Sequence, residues 1–186
     1  MGMRRAVFLD RDGVINADRG YVGRYADFIF LPGVAAAMAR LRSLGFVLVM
    51  VTNQSGIARG YFTEHDFRML CAQMQHELRA HGAQFDRICF CPHLPGAAVA
   101  RYDCECACRK PRPGMLLQAI RDLGLDAQAS FMVGDRRRDL EAGQAAGVGR
   151  LVRVGGVAGG EDLCDNALCY ASLHDFVFSY AFGSYP

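Results

Sequence analysis

The chain has neither a long hydrophobic run nor a strong net charge. Its formal charge is only +2 over 186 residues, so no overall excess of basic residues points to nucleic acid or to an anionic membrane. The first apolar stretch, residues 6–9, is too short for a signal-peptide core or a membrane-spanning helix. We therefore expect a cytoplasmic, monomeric protein with no nucleic-acid or membrane partner. At 52% hydrophobic, the chain has enough apolar residues for one domain over residues 1–186.

Lysine is nearly absent. The 21 basic residues are 20 arginines and one lysine, Lys110. Arginine is a planar fork and lysine a compact point charge, so a site that needs a single small cation distinguishes them. One lysine can survive by chance, but the neighbours of Lys110, described below, favour a specific site. The eight cysteines come without secretory features, which indicates reduced thiols and a metal rather than disulfides.

Apolar periodicity predicts strands and helices in alternation. Strands are predicted at residues 6–9, 46–51, 87–91, 130–133 and 151–154, and helices at about 33–44, 63–81, 113–123, 140–146 and 175–180. Alternation of this kind implies right-handed crossovers. The fold class predicted is α/β, a three-layer Rossmann-like fold with a mainly parallel sheet.

Polar residues follow the predicted strands where each strand ends. They are Asp10 and Asp12 after the first strand, Thr52, Asn53, Gln54 and Ser55 after the second, Arg109 and Lys110 before the third long helix, and Asp135 and Asp139 after the fourth strand. The carboxyl ends of parallel strands share one edge of the sheet, so these side chains can converge there. Taken alone, residues 10–13 could be an ordinary solvated turn, because Asp and Gly are common in turns.

The combined set suits phosphoryl transfer through a covalent aspartyl phosphate. A carboxylate can act as the nucleophile, and magnesium is held by one or two carboxylates together with phosphate oxygens and water. A lysine and a hydroxyl such as Thr52 can orient and neutralise the phosphoryl oxygens. The sequence therefore predicts a phosphatase or a related phosphoryl-transfer enzyme.

Four ordered motifs resemble those of the haloacid dehalogenase superfamily of phosphatases. They are Asp10-Arg11-Asp12-Gly13-Val14, Val51-Thr52-Asn53, Lys110-Pro111, and Gly134-Asp135 with Asp139. The resemblance implies that Asp10 is the nucleophile and that Asp12 is the acid that protonates the leaving oxygen and then activates water. It implies that Thr52 and Lys110 hold the phosphoryl group.

The same resemblance implies a magnesium site. Asp10, the backbone carbonyl of Asp12 and Asp135 would be its ligands, with Asp139 and Arg136 in support; Arg136 stands where the family often has lysine. Too few residues lie between Asp12 and Thr52 for a large cap domain, so short loops are expected to recognise the substrate.

Cysteines cluster in the irregular stretch at about residues 91–108. Cys91, His93, Cys106 and Cys108 are the predicted ligands of a structural zinc ion, which would hold in place a loop with little core of its own. Cys104 and Cys89 are spare candidates for the same positions. Buried thiols without metal are the alternative.

The zinc-loop pattern resembles two phosphatase families within the superfamily. One acts on D-glycero-D-manno-heptose 1,7-bisphosphate and the other on histidinol phosphate. Three stretches, residues 19–22, 53–60 and 106–115, resemble the heptose family. That resemblance implies that a sugar bisphosphate contacts Asp18, Arg19, Gly20, Tyr21, Thr52, Asn53, Gln54, Ser55, Arg109 and Lys110. A planar arginine such as Arg109 suits the second phosphate.

Two alternatives remain open. A histidinol-phosphate phosphatase would bind a cationic substrate, and arginines such as Arg19 and Arg109 argue against it. A non-catalytic, receiver-like adaptor domain with a zinc-stabilised docking loop would need the acidic cluster and the lysine, but not a second acid at Asp12. An enzyme that processes nucleic-acid ends is disfavoured because no basic stripe with interleaved aromatics is present.

Overall fold

One parallel sheet forms the centre of the protein. The computed structural model describes residues 4–155 and 166–182. The strands within these ranges are β1 Arg4–Leu9, β2 Val47–Asn53, β3 Arg87–Cys91, β4 Leu125–Gly134, β5 Arg150–Val154 and β6 Leu168–Tyr170. They lie in the order β3-β2-β1-β4-β5-β6, and every neighbouring pair is parallel. The predicted α/β class with a parallel sheet is confirmed.

Helices cover both faces of the sheet. They are α1 Val34–Ser43, α2 Ser55–Ala58, α3 Glu64–Ala80, α4 Gly114–Leu123, α5 Arg137–Ala145 and α6 Leu173–Ser179. Side chains along β1 alternate between two cores: Val7 and Leu9 join the cluster on the side of α1, α3 and α6, while Ala6 and Phe8 join the one on the side of α4 and α5. Because strand side chains alternate in direction, a fully apolar strand such as β1 feeds two cores and requires three layers.

Some element bounds differ from the sequence prediction for identifiable reasons. The helix α5 begins at Arg137 rather than at residue 140, because the Asp139 carboxylate accepts a hydrogen bond of 3.0 Å from the backbone N–H of Arg136 and caps the helix start. Neither α2 nor β6 was predicted, since segments of four and three residues are too short to show a period. The predicted strand at residues 130–133 is the buried end of the longer β4.

The connections leave no room for a large cap domain. Between β1 and α1 lie only residues 10–33, and their helical content is the 3-10 turn Tyr25–Asp27. The stretch between β2 and β3 is occupied by α2 and α3. Within residues 4–155 and 166–182, no helix has the length and apolar character needed to cross a bilayer. A single domain over residues 1–186 stays a prediction, because that range includes residues outside the described ones.

Candidate active site

The two central strands bring the first candidate residues together. Asp10 follows β1, and its backbone N–H donates to the carbonyl of Val133 in β4 at 3.0 Å. Thr52 lies near the end of β2, on the other side of β1. Both side chains are almost fully buried, with Asp10 4% and Thr52 1% exposed. The carboxyl edge of the sheet is therefore the place where the predicted site residues meet.

The single lysine lies at the centre of this edge. Its Nζ is 2.9 Å from Asp10 Oδ1 and 2.7 Å from Asp139 Oδ1, and it donates to the carbonyl of Val51 at 2.7 Å. Two hydrogen bonds of 3.0 Å between the Asn53 side chain and the Lys110 backbone hold the residue in place. Burial alone would lower the pKa of Lys110, but the two carboxylates raise it above its ordinary value. A compact ammonium with three hydrogens matches these three acceptors.

Three carboxylates form a second feature of the edge. Oxygens of Asp10, Asp135 and Asp139 all lie within 4.8 Å of one another. Burial, followed by repulsion from Asp10 and Asp139, raises the pKa of Asp135 to about 7. Gly13 packs against this cluster with a φ of +79°, and a Cβ at Gly13 would be 2.5 Å from Asp135 Oδ2. The oxygen set and its mutual repulsion fit a hard divalent cation such as magnesium.

Asp139 and Arg136 have partners that suit supporting positions. One oxygen of Asp139 pairs with Lys110 and the other accepts from the Arg136 backbone, so both are already engaged. The Arg136 side chain lies 3.1 Å from Asp135 Oδ2 and 3.5 Å from Asp18 Oδ2. Arg136 therefore connects the acidic cluster with the loop at residue 18.

The second aspartate of the first motif is held by three donors. Asp12 Oδ2 accepts from Arg11 Nη2 at 2.8 Å and from Gln54 Nε2 at 3.2 Å, and Oδ1 accepts from Asn16 Nδ2 at 3.0 Å. Gln54 Nε2 also donates to Thr52 Oγ1 at 2.9 Å. Burial raises the pKa of Asp12, against the opposing charge of Arg11. A carboxyl group with a raised pKa is suited to general acid catalysis.

Sequence reasoning missed Arg11 and Asn16. Both have no exposed surface, although arginine and asparagine are usually exposed. The available signal was that Arg11 lies inside the first motif and Asn16 two residues after it, and the sequence there does not show which side chains turn inward.

The predicted sugar contacts at residues 18–21 and at Ser55 lie in the loops after β1 and β2. These loops, together with Arg109, are called the rim below. Asp18 Oδ1 accepts from the Gly20 N–H at 3.1 Å, which shapes the turn. Tyr21 has a φ of +54°, and its ring meets that of Tyr61 edge-on at 4.8 Å. Two further predicted contacts are Arg19, which is exposed, and Ser55, which begins α2.

Two other arginines lie near enough to Arg109 for their charges to act on it. Arg109 is partly buried and donates from Nη1 to the carbonyl of His93 at 3.1 Å. Burial lowers the pKa of Arg109, and the charges of Arg138 and Arg59 lower it further. In the part of the chain that the structure describes, neither Arg59 nor Arg138 forms an ion pair. Like charges held together without carboxylate partners favour an anionic ligand. Arg59 and Arg138 were not predicted as site residues.

The cysteine loop folds into a compact thiol and imidazole cluster. The Sγ atom of Cys108 is 3.1 Å from that of Cys106 and 3.2 Å from that of Cys91, and His93 Nδ1 lies 3.6 Å from Cys108 Sγ and 3.7 Å from Cys91 Sγ. Burial opposes ionisation of Cys106, but hydrogen bonds from Cys108 and Cys91 lower its pKa to about 7. Four such atoms fit around one tetrahedral zinc ion with bonds of about 2.0–2.3 Å.

The spare cysteines lie outside this cluster. Cys104 is exposed, and Cys89 packs against the core on the side of α4. The four ligands chosen from the sequence are therefore the four that the structure brings together.

The chain is similar to known phosphatases. A family model described as HAD-hydrolase-like matches residues 107–176. Curated D-glycero-beta-D-manno-heptose-1,7-bisphosphate 7-phosphatases from Yersinia pestis and Escherichia coli K12 are each 51% identical over 152 residues, which is 81% of this chain and 81% and 80% of theirs. The crystal structure of D,D-heptose 1,7-bisphosphate phosphatase from B. bronchiseptica, complexed with magnesium and phosphate, matches with a TM-score of 0.81 and 33% identity, covering 94% of this chain and 97% of that one.

Removing one charge from the acidic cluster should stabilise the metal-free protein. The folded-state pKa of Asp135, about 7, lies above its unfolded value of about 3.9, so ionisation of Asp135 opposes folding as the pH rises through 7. At pH 8 without magnesium, we expect Asp135→Asn to raise the Tm by a few degrees, since ~1 kcal/mol shifts a chain of this size by about 2–4 °C. At pH 5 the gain should largely disappear.

Added magnesium should reverse this order in stability, because Asp135→Asn removes a predicted magnesium ligand and the wild type retains it. Thermal melts with and without magnesium measure both stability differences. Magnesium is removed by dialysis, because a chelator would also remove any metal ion held by the thiol cluster. Asp122→Asn, at an exposed ion pair with Arg87, is the control and should leave the magnesium response unchanged. A variant that is less stable than wild type at pH 8 without magnesium would contradict the repulsion inferred here.

Proposed function

Because the chain belongs to the haloacid dehalogenase superfamily, and within it to the heptose 1,7-bisphosphate 7-phosphatases, we propose that it removes the C7 phosphate of D-glycero-D-manno-heptose 1,7-bisphosphate. The chain is a magnesium-dependent phosphomonoester hydrolase. The product would be heptose 1-phosphate, the precursor of nucleotide-activated heptose for the lipopolysaccharide core. The observation that carries the proposal is the buried Lys110 ammonium between Asp10 and Asp139, beside an acid at Asp12. We further propose a cytoplasmic monomer.

The proposed reaction has two steps on one aspartate. Asp10 attacks the phosphorus while Asp12 gives its proton to the C7 oxygen, so the phosphorus–oxygen bond breaks and an aspartyl phosphate forms. Asp12 then takes a proton from the water that attacks this phosphorus, which releases phosphate and restores Asp10. Lys110 and Thr52 hold the phosphoryl oxygens and offset their charge.

Magnesium would be held by Asp10, the backbone carbonyl of Asp12 and Asp135. Asp139 and Arg136 would keep these ligands in place through the contacts described above. When bound, the ion supplies positive charge that offsets the charge on the phosphoryl oxygens. The proposal is supported by the carboxylate cluster, whose repulsion a cation relieves.

The rim supports a substrate with a second anionic group. Arg109, with Arg59 and Arg138 nearby, offers guanidinium donors that can bind such a group. The loops at Asp18–Tyr21 and Thr52–Ser55 would contact the sugar. Histidinol phosphate would bring a cation to this rim instead, and three unneutralised arginines would repel it.

Phosphate release from a small panel of substrates tests the function directly. In the presence of magnesium, we expect kcat/KM for the β anomer of heptose 1,7-bisphosphate to exceed that for histidinol phosphate by at least about 100-fold, since a lost charge contact and a new repulsion each cost roughly 1–3 kcal/mol. The α anomer is the matched comparison, and the relatives' names favour β.

Preference for histidinol phosphate would refute the proposed substrate and leave the phosphatase chemistry in place. No release from any substrate on the panel would favour a non-catalytic adaptor domain.

The Asp12→Asn variant should accumulate phosphoenzyme. With 4-nitrophenyl phosphate, whose leaving group needs no proton, Asp10 can still be phosphorylated. Water can no longer be activated, so hydrolysis should slow by about 10²–10⁴-fold. Acid quenching and intact-mass measurement should then show one phosphoryl group, located at Asp10 by peptide mapping. Asp10→Asn is the control and should stay unlabelled; a phosphoryl group on any other residue would contradict the mechanism.

We also propose that the thiol and imidazole cluster holds one structural zinc ion. Three thiols lie in mutual contact in a loop whose helical content is the 3-10 turn Ala100–Tyr102. A bound ion would join the end of β3, at Cys91, to Cys108, which precedes Lys110 by two residues. Zinc would thereby help to position the lysine without taking part in the reaction.

Elemental analysis of protein purified without chelator should find about one zinc per chain. Cys108→Ser should lose the metal and lower the Tm, because a structural zinc site contributes directly to folding free energy. Cys104→Ser is the matched control and should retain both metal and stability, since Cys104 is exposed and outside the cluster. Wild-type protein without zinc, or equal loss in the two variants, would contradict the site.

A further inference from the structure

Arg11 is a buried charge that the mechanism above does not use. It has no exposed surface and stands between Asp10 and Asp12 in the sequence. Its Nη2 atom donates to Asp12 Oδ2 and to the carbonyl of Val22, both at 2.8 Å. Its guanidinium carbon is 5.7 Å from the centre of the Phe67 ring. Within the described part of the chain, its Nε and Nη1 atoms are buried without a hydrogen-bond partner.

An arginine in this position is costly to the fold. A buried guanidinium loses its hydration, and two of its three nitrogens gain no hydrogen bond in return. An apolar residue of this size beside Phe67 would avoid that cost, but it would leave the Asp12 carboxylate without its cationic partner at 2.8 Å. What the arginine adds over such a residue is a charged donor aimed at one oxygen of Asp12.

Gln54 is the second donor to Asp12 Oδ2. Its Nε2 donates to Asp12 Oδ2 at 3.2 Å, and its Oε1 lies 3.4 Å from Arg11 Nη2. Among the described residues, Asp12 Oδ2 therefore accepts from two donors, whereas Oδ1 accepts from Asn16 alone. An oxygen with two donors has both lone pairs engaged, so the oxygen that can carry and release a proton is Oδ1.

We propose that Arg11 is the positioning residue of the general acid: with Gln54 it holds Asp12 by Oδ2, so that Oδ1 carries the transferable proton toward the leaving oxygen. This inference rests on the proposed function for the identity of the acid. Arg11 touches neither substrate nor metal and acts only through Asp12. The proton leaves Oδ1 as the phosphorus–oxygen bond breaks and returns to Oδ1 from water in the second step.

A positioning role predicts a dependence on the leaving group. A sugar alkoxide must be protonated as it departs, whereas 4-nitrophenolate is a weak base that departs without a proton. For Arg11→Met, which keeps a long side chain but removes the donor, we expect kcat/KM for heptose 1,7-bisphosphate to fall about 100-fold. The value for 4-nitrophenyl phosphate should fall by no more than about threefold. Arg11→Lys, which retains a charged donor, should recover part of the sugar activity.

Phe67→Leu is the matched control. Phe67 packs over the guanidinium but gives no hydrogen bond to Asp12, so loss of packing should change both substrates by the same factor. If Arg11→Met does not fold by circular dichroism, Arg11→Gln, which keeps a polar side chain but removes the charged donor, takes its place and should shift the ratio in the same direction. Equal loss on both substrates, in Arg11→Met or in its substitute Arg11→Gln, would overturn the proposal.

The substrate panel distinguishes failure of the proposed function from failure of the role proposed for Arg11. If the wild type hydrolyses another sugar phosphate and not the heptose bisphosphate, the proposed substrate is wrong. The same comparison of an alkyl with a nitrophenyl ester still tests Arg11 on the sugar phosphate that is turned over.

Discussion

The ammonium of Lys110 is the interaction on which the rest of the site depends. A fully buried lysine is stable only when its charge and its three hydrogens are matched, and Asp10, Asp139 and the carbonyl of Val51 match them. This requirement ties together segments that are far apart in sequence. It also explains why a chain that uses arginine at 20 of 21 basic positions has a lysine here: a planar fork does not fit between three acceptors arranged around one point.

The charges around Lys110 explain the other features of the site. One ammonium cannot offset Asp10, Asp135 and Asp139 together, so burial and the repulsion that remains both raise the pKa of Asp135, and the cluster suits a divalent cation. The loop with the thiol and imidazole cluster ends at Cys108, two residues before Lys110. A rigid loop would hold Lys110 in position, and a displaced lysine would leave the buried carboxylates without a partner.

The sequence was sufficient for five of the six described strands and for the polar residues that follow them. Buried parallel strands are continuous apolar runs, and the polar residues that interrupt them, such as Asp10, Thr52 and Asp135, lie at strand ends. The inward turn of Arg11 could not be predicted, because its partners Val22 and Gln54 lie 11 and 43 residues away and arginine is usually exposed. The strand β6 was not predicted, because three residues are too few to show a hydrophobic period. The roles of the site residues stay predictions.

Phosphorus NMR of the reaction on β-heptose 1,7-bisphosphate tests the central claim most directly, because it shows which of the two phosphates is removed. The account predicts that the C7 phosphate resonance disappears while the resonance of the phosphate on the anomeric carbon persists, with inorganic phosphate growing in step. Loss of the anomeric resonance with the C7 resonance retained would show that the rim arginines do not hold the second phosphate, and would contradict the account.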